Sequence, residues 1–492
     1  MRTRSSPGMG QWIVVTFIVA VVAFLLYSVY QYGSFRQYYP AGLTIAGVEV
    51  GGLTEEQAAE LISNRYLDAD IIIYHGENSV AVNPSRAEFQ LDLETMLNQA
   101  DYQRVQQDFW AGFWGFLWNR PIEVAPIELR ATHNPTALRN VLQTIASGFD
   151  TPAQPAQPVP TSLSFQYGDP GIETDIDASL PDVEAALYRP TGREAHLHLG
   201  SVNPARPDIN ILARLLVNHL QDQGFDGVAS IFILDLQSGE EVRIEAGAAM
   251  SGIDLVKLPI AVEAFRTLES SPSISQTQYL NETLTSMEGD GAIRLLDLVA
   301  GQDDPFLGAD IVTESLWRLG LRNTFIATPY DMQNRPGLST YETPANSLEV
   351  KLTSPDPGMQ TTAEDMGTLL AMIYYCAQQN GGALRAAYPD QITQVECQEL
   401  QTIMESNKIG SLIEEGVPPD VPVAHRHGWV GDTHGDAGII FSPGGDYVLV
   451  MMFYKPEWLP WEVSSPLMAQ ISQATYNYFN FADPYLGGSR AN

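Results

Sequence analysis

One run of apolar residues constrains this chain more than any other feature. From Trp12 to Tyr30 the sequence holds about 19 residues without a charge, close to the roughly 20 that a helix needs to cross a bilayer. Inside hydrocarbon the backbone amides and carbonyls have no water to bond, so such a run must fold as a helix. We therefore predict a single membrane-spanning helix within residues 1–35.

The charges around this run predict its orientation. Arg2 and Arg4 precede it, and the next basic residue is Arg36. Because basic residues concentrate on the cytoplasmic side, we expect the N-terminus in the cytoplasm and the bulk of the chain outside it. A cleaved signal peptide is the alternative, but its apolar region spans only about 7–15 residues and ends in a small-residue cleavage site. The following YQYGSFRQYYP has no such site, which favours an uncleaved anchor.

The acidic composition excludes one class of partner. Asp and Glu number 59 against 26 Lys and Arg, which gives a net charge of −33. Phosphate backbones repel such a polyanion, so nucleic acid is not expected as a partner. The acidity favours solubility but does not help adhesion to an anionic cell wall. Any contact with peptidoglycan must therefore come from specific groups.

The two cysteines, Cys376 and Cys397, leave two interpretations open. Outside the cytoplasm they can form a disulfide, which would close a loop of about 20 residues and contribute on the order of 3 kcal/mol. Alternatively, they are two separate buried thiols. Neither has a histidine at ligand spacing, and the sequence contains no glycine-rich phosphate loop and no H-E-x-x-H pattern. No metal or cofactor is expected.

Region 36–205 alternates short strands and helices. It opens with IAGVEVGGLTEEQAAELI, in which Thr54 caps a helix with Glu55 and Glu56 in its first turn. A Pro-rich stretch near 151–160 predicts an extended, semi-rigid linker, and GDPGIETDID follows it. The two motifs resemble the peptidoglycan-binding domains found beside VanW-type proteins. The resemblance implies glycan binding, and the alternative is a spacer that holds the next domain away from the membrane.

Region 206–492 has an α+β pattern. A strand pair in VASIFILDLQSGEEVRIEAG precedes a block of helices, then three strands in HRHGWVGDTHGDAGIIFSPGGDYVLVMMFYKP, and a last helix from about Pro466 to Phe479. This order resembles the fold of class A serine β-lactamases and penicillin-binding proteins. The resemblance implies three catalytic motifs, each of which can be compared with the sequence.

The first motif, Ser-x-x-Lys, is half retained. Lys257 is followed by Leu-Pro-Ile in the family manner, but Asp254 stands where the resemblance implies the nucleophilic serine. A spacing of three places both side chains on one helix face, so we expect an ion pair. Ser251 lies six residues before the lysine, on roughly the opposite side of a helix, and suits an N-cap better.

The other two motifs are also altered. In place of Ser-Asp-Asn the chain has EGDG, of which Asp290 is the one residue retained. In place of Lys-Thr-Gly it has RHG, from Arg426 to Gly428. Arg426 can still bind a carboxylate, and His427 adds a titratable group that the family pattern lacks.

Without the serine, acyl transfer loses its nucleophile. The resemblance then implies a membrane-anchored, catalytically degenerate protein with a β-lactamase-like fold, a pseudoenzyme that binds peptidoglycan or its stem peptide. Two alternatives stay open. One is an active hydrolase of β-lactams or D-alanyl peptides with a relocated nucleophile, and the other is a structural spacer or assembly protein.

Overall fold

The computed structural model describes residues 9–106, 108–120, 123–268 and 271–487. The chain divides into two compact units, Met1–Ala153 with Pro170–Asn203, and Gln154–Asp169 with Pro204–Asn492. The first unit has one hydrophobic core and the second has two. We call them the N-terminal unit and the C-terminal unit.

The N-terminal unit begins with the long apolar helix Met9–Phe35. Among the described residues this is the one helix long and apolar enough to cross a membrane, and the stretch that qualifies runs from Gln11 to Phe35. Very little of that stretch is buried by protein. The helix has the length and composition that the sequence predicts, whereas its orientation and its role as an uncleaved anchor stay predictions.

Short strands and helices form the rest of this unit. A three-stranded sheet has the order Glu194–His196, Ile71–His75, Asn78–Val82. The two-stranded pairs are Thr44–Ile45 with Val48–Glu49, Gln90–Leu91 with Ala131–Thr132, and Gly171–Asp175 with His198–Val202. The helices are Glu55–Ser63, Leu93–Val105, Phe109–Leu117, Pro135–Phe149 and Ile176–Leu187, with single turns at Asn64–Asp68 and Pro84–Ala87. Thr54 caps the first of these helices in a capping box with Gln57.

The Pro-rich stretch is extended, but it is packed rather than free. Gln157–Val159 pairs antiparallel with Ser164–Gln166, and this hairpin clusters with the C-terminal unit. The Phe165 ring lies 5.7 Å from the ring of Tyr478 in the last helix. Proline density reveals an extended backbone but not the surface that it packs against, so the sequence suggested only a linker here.

A five-stranded antiparallel sheet forms the centre of the C-terminal unit. Its strands in chain order are β1 (Val228–Asp235), β2 (Glu241–Ile244), β3 (Val423–Trp429), β4 (Thr433–Ile440) and β5 (Tyr447–Tyr454). They lie in the order β2-β1-β5-β4-β3, so β3 is an edge strand and β1 pairs with β5 along its length. This confirms the predicted α+β class, with its early strand pair and its three late strands.

Alternate side chains of the sheet enter two separate cores, as the period of two in a strand requires. On β5, Val450 and Met452 join one core, whereas Met451 and Phe453 join the other. The second core is covered by the helices Ile209–Asp222 and Trp461–Phe479. The last helix begins before Pro466, which lies inside it, so the predicted start was wrong.

The helical block covers the first core. Its helices are Lys257–Thr267, Ile274–Thr285, Asp290–Ala300, Pro305–Arg318, Ala363–Gln379, Gly382–Ala387 and Gln394–Glu405. Single turns lie at Ile253–Val256 and Glu414–Gly416, and a small sheet joins Met250–Ser251, Phe325–Ile326 and Met359–Thr361. Of the two interpretations open for the cysteines, the structure has the disulfide. It ties Cys376 to Cys397 with their Cα atoms 6.0 Å apart.

Candidate functional site

Asp254 and Lys257 form the centre of the candidate site. Asp254 lies in the turn Ile253–Val256, which runs directly into the helix that Lys257 opens. Asp254 Oδ1 is 2.5 Å from Lys257 Nζ, the ion pair that the spacing of three predicts. Both side chains are buried. Buried charges cost free energy unless each is compensated, so the surroundings of the pair decide what it can do.

Backbone carbonyls complete the surroundings of Lys257. Nζ donates hydrogen bonds to Ser286 O at 3.1 Å and to Glu288 O at 2.8 Å. Together with the Asp254 carboxylate, these acceptors match the three N–H groups of an ammonium ion. The Tyr330 ring lies 5.1 Å from Nζ and adds a cation–π contact. An ammonium bound in this way has no lone pair with which to take a proton.

Arg426 adds a second cation. It projects from β3, and its Nη2 is 3.3 Å from Asp254 Oδ1. It also donates to Leu284 O at 3.2 Å and to Ser286 O at 2.6 Å, and its side chain has no exposed surface. The sequence suggested that Arg426 binds the carboxylate of a ligand. In the structure the carboxylate beside it is that of Asp254, and its burial leaves no surface for an external one.

Burial dominates the electrostatics of this ion triad, which consists of Asp254, Lys257 and Arg426. Burial, reinforced by the charge of Arg426, lowers the pKa of Lys257, although Asp254 opposes the shift. Burial, together with the charge of Asp254, raises the pKa of the Tyr330 hydroxyl well above its ordinary value. That hydroxyl donates to Ile253 O at 2.6 Å and is therefore a neutral donor.

Two glycines let the surrounding elements approach this closely. A β-carbon on Gly428 would lie 2.7 Å from both the Cβ and the amide nitrogen of Asp254. A β-carbon on Gly289, the residue before Asp290, would lie 2.8 Å from Tyr330 Cβ and 2.6 Å from Asp331 Oδ2. Larger residues at either position would force their neighbours apart. Tyr330 thus fills space beside Gly289, a role that no local sequence pattern indicated.

His427 and His425 face a buried polar network behind β3. His427 Nδ1 lies 3.4 Å from Asn407 Nδ2, and burial lowers the pKa of His427. His425 Nδ1 is 2.8 Å from Asp436 Oδ1, and its Nε2 is 2.8 Å from Asn407 O. Although burial alone would lower it, Asp436 and Glu414 raise the pKa of His425 above its ordinary value. The sequence pointed to His427, but the histidine paired with carboxylates is His425.

Ser251 belongs to a strand rather than to a helix cap. It lies in Met250–Ser251, which pairs with Met359–Thr361, and Gly252 is the N-cap of the turn that follows. The Ser251 hydroxyl accepts a hydrogen bond from the Asp356 amide at 2.9 Å. The predicted N-cap role was wrong because pairing with the neighbouring strand holds this residue in an extended conformation.

Asp290 lies apart from the ion triad. It opens the helix Asp290–Ala300, and its side chain is exposed. It lines a surface cavity together with Glu282 and Arg294. Within the part of the chain that the structure describes, no hydrogen bond or ion pair joins it to Lys257. The structure therefore brings together three of the predicted site positions, Asp254, Lys257 and Arg426, with Gly428 packed against them.

The C-terminal unit shares sequence with a known enzyme family. Residues 304–479 match the model of the Beta-lactamase enzyme family. This unit therefore contains a β-lactamase-like domain. The matched residues include Arg426, His427 and Gly428, but they begin after Asp254 and Lys257. The match thus does not extend to the positions of the first motif.

Several solved structures resemble the chain. PBP-A is 18% identical with a TM-score of 0.42, and the alignment covers 56% of this chain and 98% of that one. The β-lactamase from Sphaerobacter thermophilus is 14% identical with a TM-score of 0.42, over 57% and 100% of the two chains. The β-lactamase from Chitinophaga pinensis is 15% identical with a TM-score of 0.39, over 54% and 98%. No curated protein matches this sequence.

Proposed function

We propose that this chain is a membrane-anchored, extracytoplasmic protein whose β-lactamase-like domain is catalytically inactive and takes part in binding peptidoglycan. One observation carries the first half of this proposal. Asp254 stands where the resemblance to the family implies the nucleophilic serine, and its carboxylate lies 2.5 Å from Lys257, the lysine that the resemblance implies would activate that serine.

The chemistry of this pair argues against acyl transfer. A carboxylate that attacked a carbonyl substrate would form an anhydride, which hydrolyses readily and conserves no stable acyl-enzyme. Lys257 cannot act as a base while its three N–H groups are donated to Asp254, Ser286 O and Glu288 O. Because Lys257 and Arg426 have no exposed surface, a substrate would also have to displace protein to reach them.

The location follows from the long apolar helix and from charge. Arg2 and Arg4 precede the helix, and no basic residue follows it until Arg36, which supports a cytoplasmic N-terminus and an extracytoplasmic bulk. Residues 36–205, with their resemblance to peptidoglycan-binding domains, would then lie next to the cell wall. The net charge of −33 makes general adhesion unfavourable, so binding must use specific side chains.

An exposed tryptophan cluster supports a binding role for the β-lactamase-like domain. Trp429, at the end of β3, is 49% exposed and lies 4.7 Å from the ring of Trp461. Trp458 is 64% exposed and packs beside Gly431. Grouped aromatic side chains on a surface mark binding sites, and their flat faces suit the C–H faces of sugar rings. Trp429 directly follows Gly428, and both Trp429 and Trp458 remain accessible, whereas the ion triad is buried.

The first test is covalent labelling with a fluorescent penicillin. We expect no labelled band after incubation with the full-length protein in detergent, because neither Asp254 nor Lys257 can form a stable acyl-enzyme. A penicillin-binding protein that forms a stable acyl-enzyme serves as the positive control. Stable labelling, or turnover of a chromogenic cephalosporin, would contradict the inactive assignment and would favour a relocated nucleophile. Ser251→Ala would then show whether that nucleophile is Ser251.

The second test is co-sedimentation with insoluble peptidoglycan. We expect the full-length protein to bind saturably, and Trp429→Ala and Trp458→Ala each to weaken binding by about tenfold or more, because central aromatic side chains dominate interfaces. Val395→Ala is the matched control, since it removes an exposed apolar side chain from a helix elsewhere in the same unit. Absence of binding by the unaltered protein would favour the structural spacer. Binding that both tryptophan variants retain would remove the tryptophan cluster from the proposal.

A further inference from the structure

The helix Phe109–Leu117 has a composition that is unusual for the surface of a protein. From Phe109 to Trp118 the sequence reads FWAGFWGFLW, without a polar or charged side chain apart from the indole N–H groups. Asp108 caps the helix, and its carboxylate accepts hydrogen bonds from the amides of Trp110 and Ala111. A helix that is apolar on every side belongs in a protein core or in a membrane.

One face of this helix packs against the end of the long apolar helix Met9–Phe35. The Tyr32 ring lies 5.3 Å from Phe109, 5.9 Å from Phe113 and 5.4 Å from Phe116. The Phe35 ring lies 5.2 Å from Phe116. Tyr32 and Phe113 are buried by this contact. The two helices therefore meet at the last turns of Met9–Phe35.

The opposite face is a stripe of tryptophans. Trp110, Trp114 and Trp118 recur every four residues, the spacing that aligns side chains along one side of a helix. They are 58%, 50% and 70% exposed. We call them the tryptophan stripe. A soluble protein rarely leaves such a continuous row of large apolar side chains in contact with water.

The position of this contact along the long helix indicates which surroundings the tryptophan stripe faces. The apolar stretch Gln11–Phe35 has 25 residues, which span about 38 Å at roughly 1.5 Å per residue. The hydrocarbon layer of a bilayer is only about 30 Å thick. A stretch centred in the bilayer then extends about 4 Å beyond the hydrocarbon at each end, which places Phe35 in the headgroup layer and Tyr32, three residues earlier, at its boundary. Phe109–Leu117 packs on these rings and lies at the same level.

From these observations we propose that Phe109–Leu117 is a second membrane contact, which lies in the interfacial layer with the tryptophan stripe against phospholipid. Indole rings favour this layer because their apolar bodies face the acyl chains while the N–H groups reach the headgroups. Arg36, whose guanidinium lies 5.5 Å from the centre of the Phe109 ring, is placed to meet lipid phosphates.

This inference rests on the membrane anchoring in the proposed function and goes beyond it. A helix that packs on the end of the span and also inserts into the interface fixes how the N-terminal unit meets the bilayer. A single-helix tether on its own leaves the attached unit free to tilt. The proposal holds whichever side of the membrane the N-terminal unit occupies, because the contact depends only on continuity with the span.

Fluorescence quenching in nanodiscs tests the proposal with the full-length chain. The protein is reconstituted in phosphatidylcholine and phosphatidylglycerol, and Trp114→Cys or Trp118→Cys is labelled with an environment-sensitive dye. Because the two native cysteines are disulfide-bonded, the label goes to the introduced thiol under non-reducing conditions. Lipids that carry a nitroxide near the headgroup should quench either label severalfold more than a label on Glu77→Cys, an exposed hairpin turn of the same unit.

Phe24→Cys, in the middle of the long apolar helix, separates the possible failures. Its label should be quenched by a nitroxide near the end of the acyl chain. If Phe24 is quenched but Trp114 and Trp118 are not, the tryptophan stripe faces water or protein, and the inference falls while the anchor stands. If none of the three is quenched, the membrane span itself is wrong, and the inference falls with it. Quenching at both stripe positions supports the interfacial helix.

Discussion

Asp254→Ala is expected to lower the free energy of unfolding of the β-lactamase-like domain by about 3–5 kcal/mol. The substitution leaves Lys257 and Arg426, both fully buried, as two cations without the carboxylate that lies 2.5 Å from one and 3.3 Å from the other. Uncompensated buried charge is among the most destabilising changes that a single substitution makes. Equilibrium urea unfolding of the full-length protein in detergent measures the loss.

Asp290→Ala is the matched control, because it removes an exposed carboxylate from the same unit. It should change stability by no more than about 0.5 kcal/mol. The double variant Asp254→Ala with Lys257→Met should lose less than the sum of the two single changes, since each removes the other's unpaired charge. If Asp254→Ala is as mild as Asp290→Ala, the ion triad does not stabilise this domain.

Asp436→Ala is expected to lower the free energy of unfolding by a similar amount, roughly 3–5 kcal/mol, under conditions where His425 is charged. Both residues are fully buried, and Asp436 accepts from His425 Nδ1 at 2.8 Å and from the Ile413 amide at 3.2 Å. Truncation leaves the imidazolium with the more distant carboxylate of Glu414, 4.0 Å from its Nε2, and removes the acceptor of the Ile413 amide. The same urea measurement, repeated across pH, separates these two contributions.

The pH dependence follows from the raised pKa of His425. A group whose pKa is higher in the folded state stabilises fully below its unfolded value, about 6.5 for histidine, and this stabilisation is lost as pH rises through the folded pKa. The stability difference between the unaltered protein and Asp436→Ala should therefore be largest below about pH 6.5 and should shrink as pH rises through the folded pKa of His425. Above it, the loss that remains comes from the Ile413 amide and from the hydrogen-bond partner that the neutral imidazole loses.

Asp182→Ala provides the control for this pH profile. Asp182 lies 3.0 Å from His198, but both side chains are more than half exposed, so solvent screens the pair. Its removal should cost little at any pH. A difference for Asp436→Ala that stays constant across the histidine range would mean that His425 is neutral in the folded protein.

The sequence predicted most of the helices and strands because they follow from local patterns of apolar and polar residues. The uncharged run before Arg36 required a helix, and the alternating residues of VASIFILD and YVLVMMFY required strands. The boundaries were less certain. The last helix starts at Trp461 although Pro466 suggested a later start, because burial of its apolar face in the second core outweighs the hydrogen bond and the close contact that the proline costs.

In the candidate site, too, the sequence predicted the contacts between neighbouring residues but not those between distant ones. The Asp254–Lys257 pair follows from a spacing of three along one turn. Ser251 lies only three residues before Asp254, yet strand pairing placed it differently from the N-cap that its local sequence suggested. Tyr330 gave no signal at all, since it lies in irregular chain between Phe325–Ile326 and Met359–Thr361.

The sequence by itself determined the apolar helix, the α+β order and the ion pair of Asp254 with Lys257, because each depends on neighbours within a few residues. Only the tertiary structure decided that Arg426 reaches Asp254, that His425 pairs with Asp436 across two strands, and that Phe109–Leu117 packs on the end of the long helix. These contacts join residues far apart in the chain. Their free energy comes from burial and charge compensation between packed elements, which no local pattern encodes.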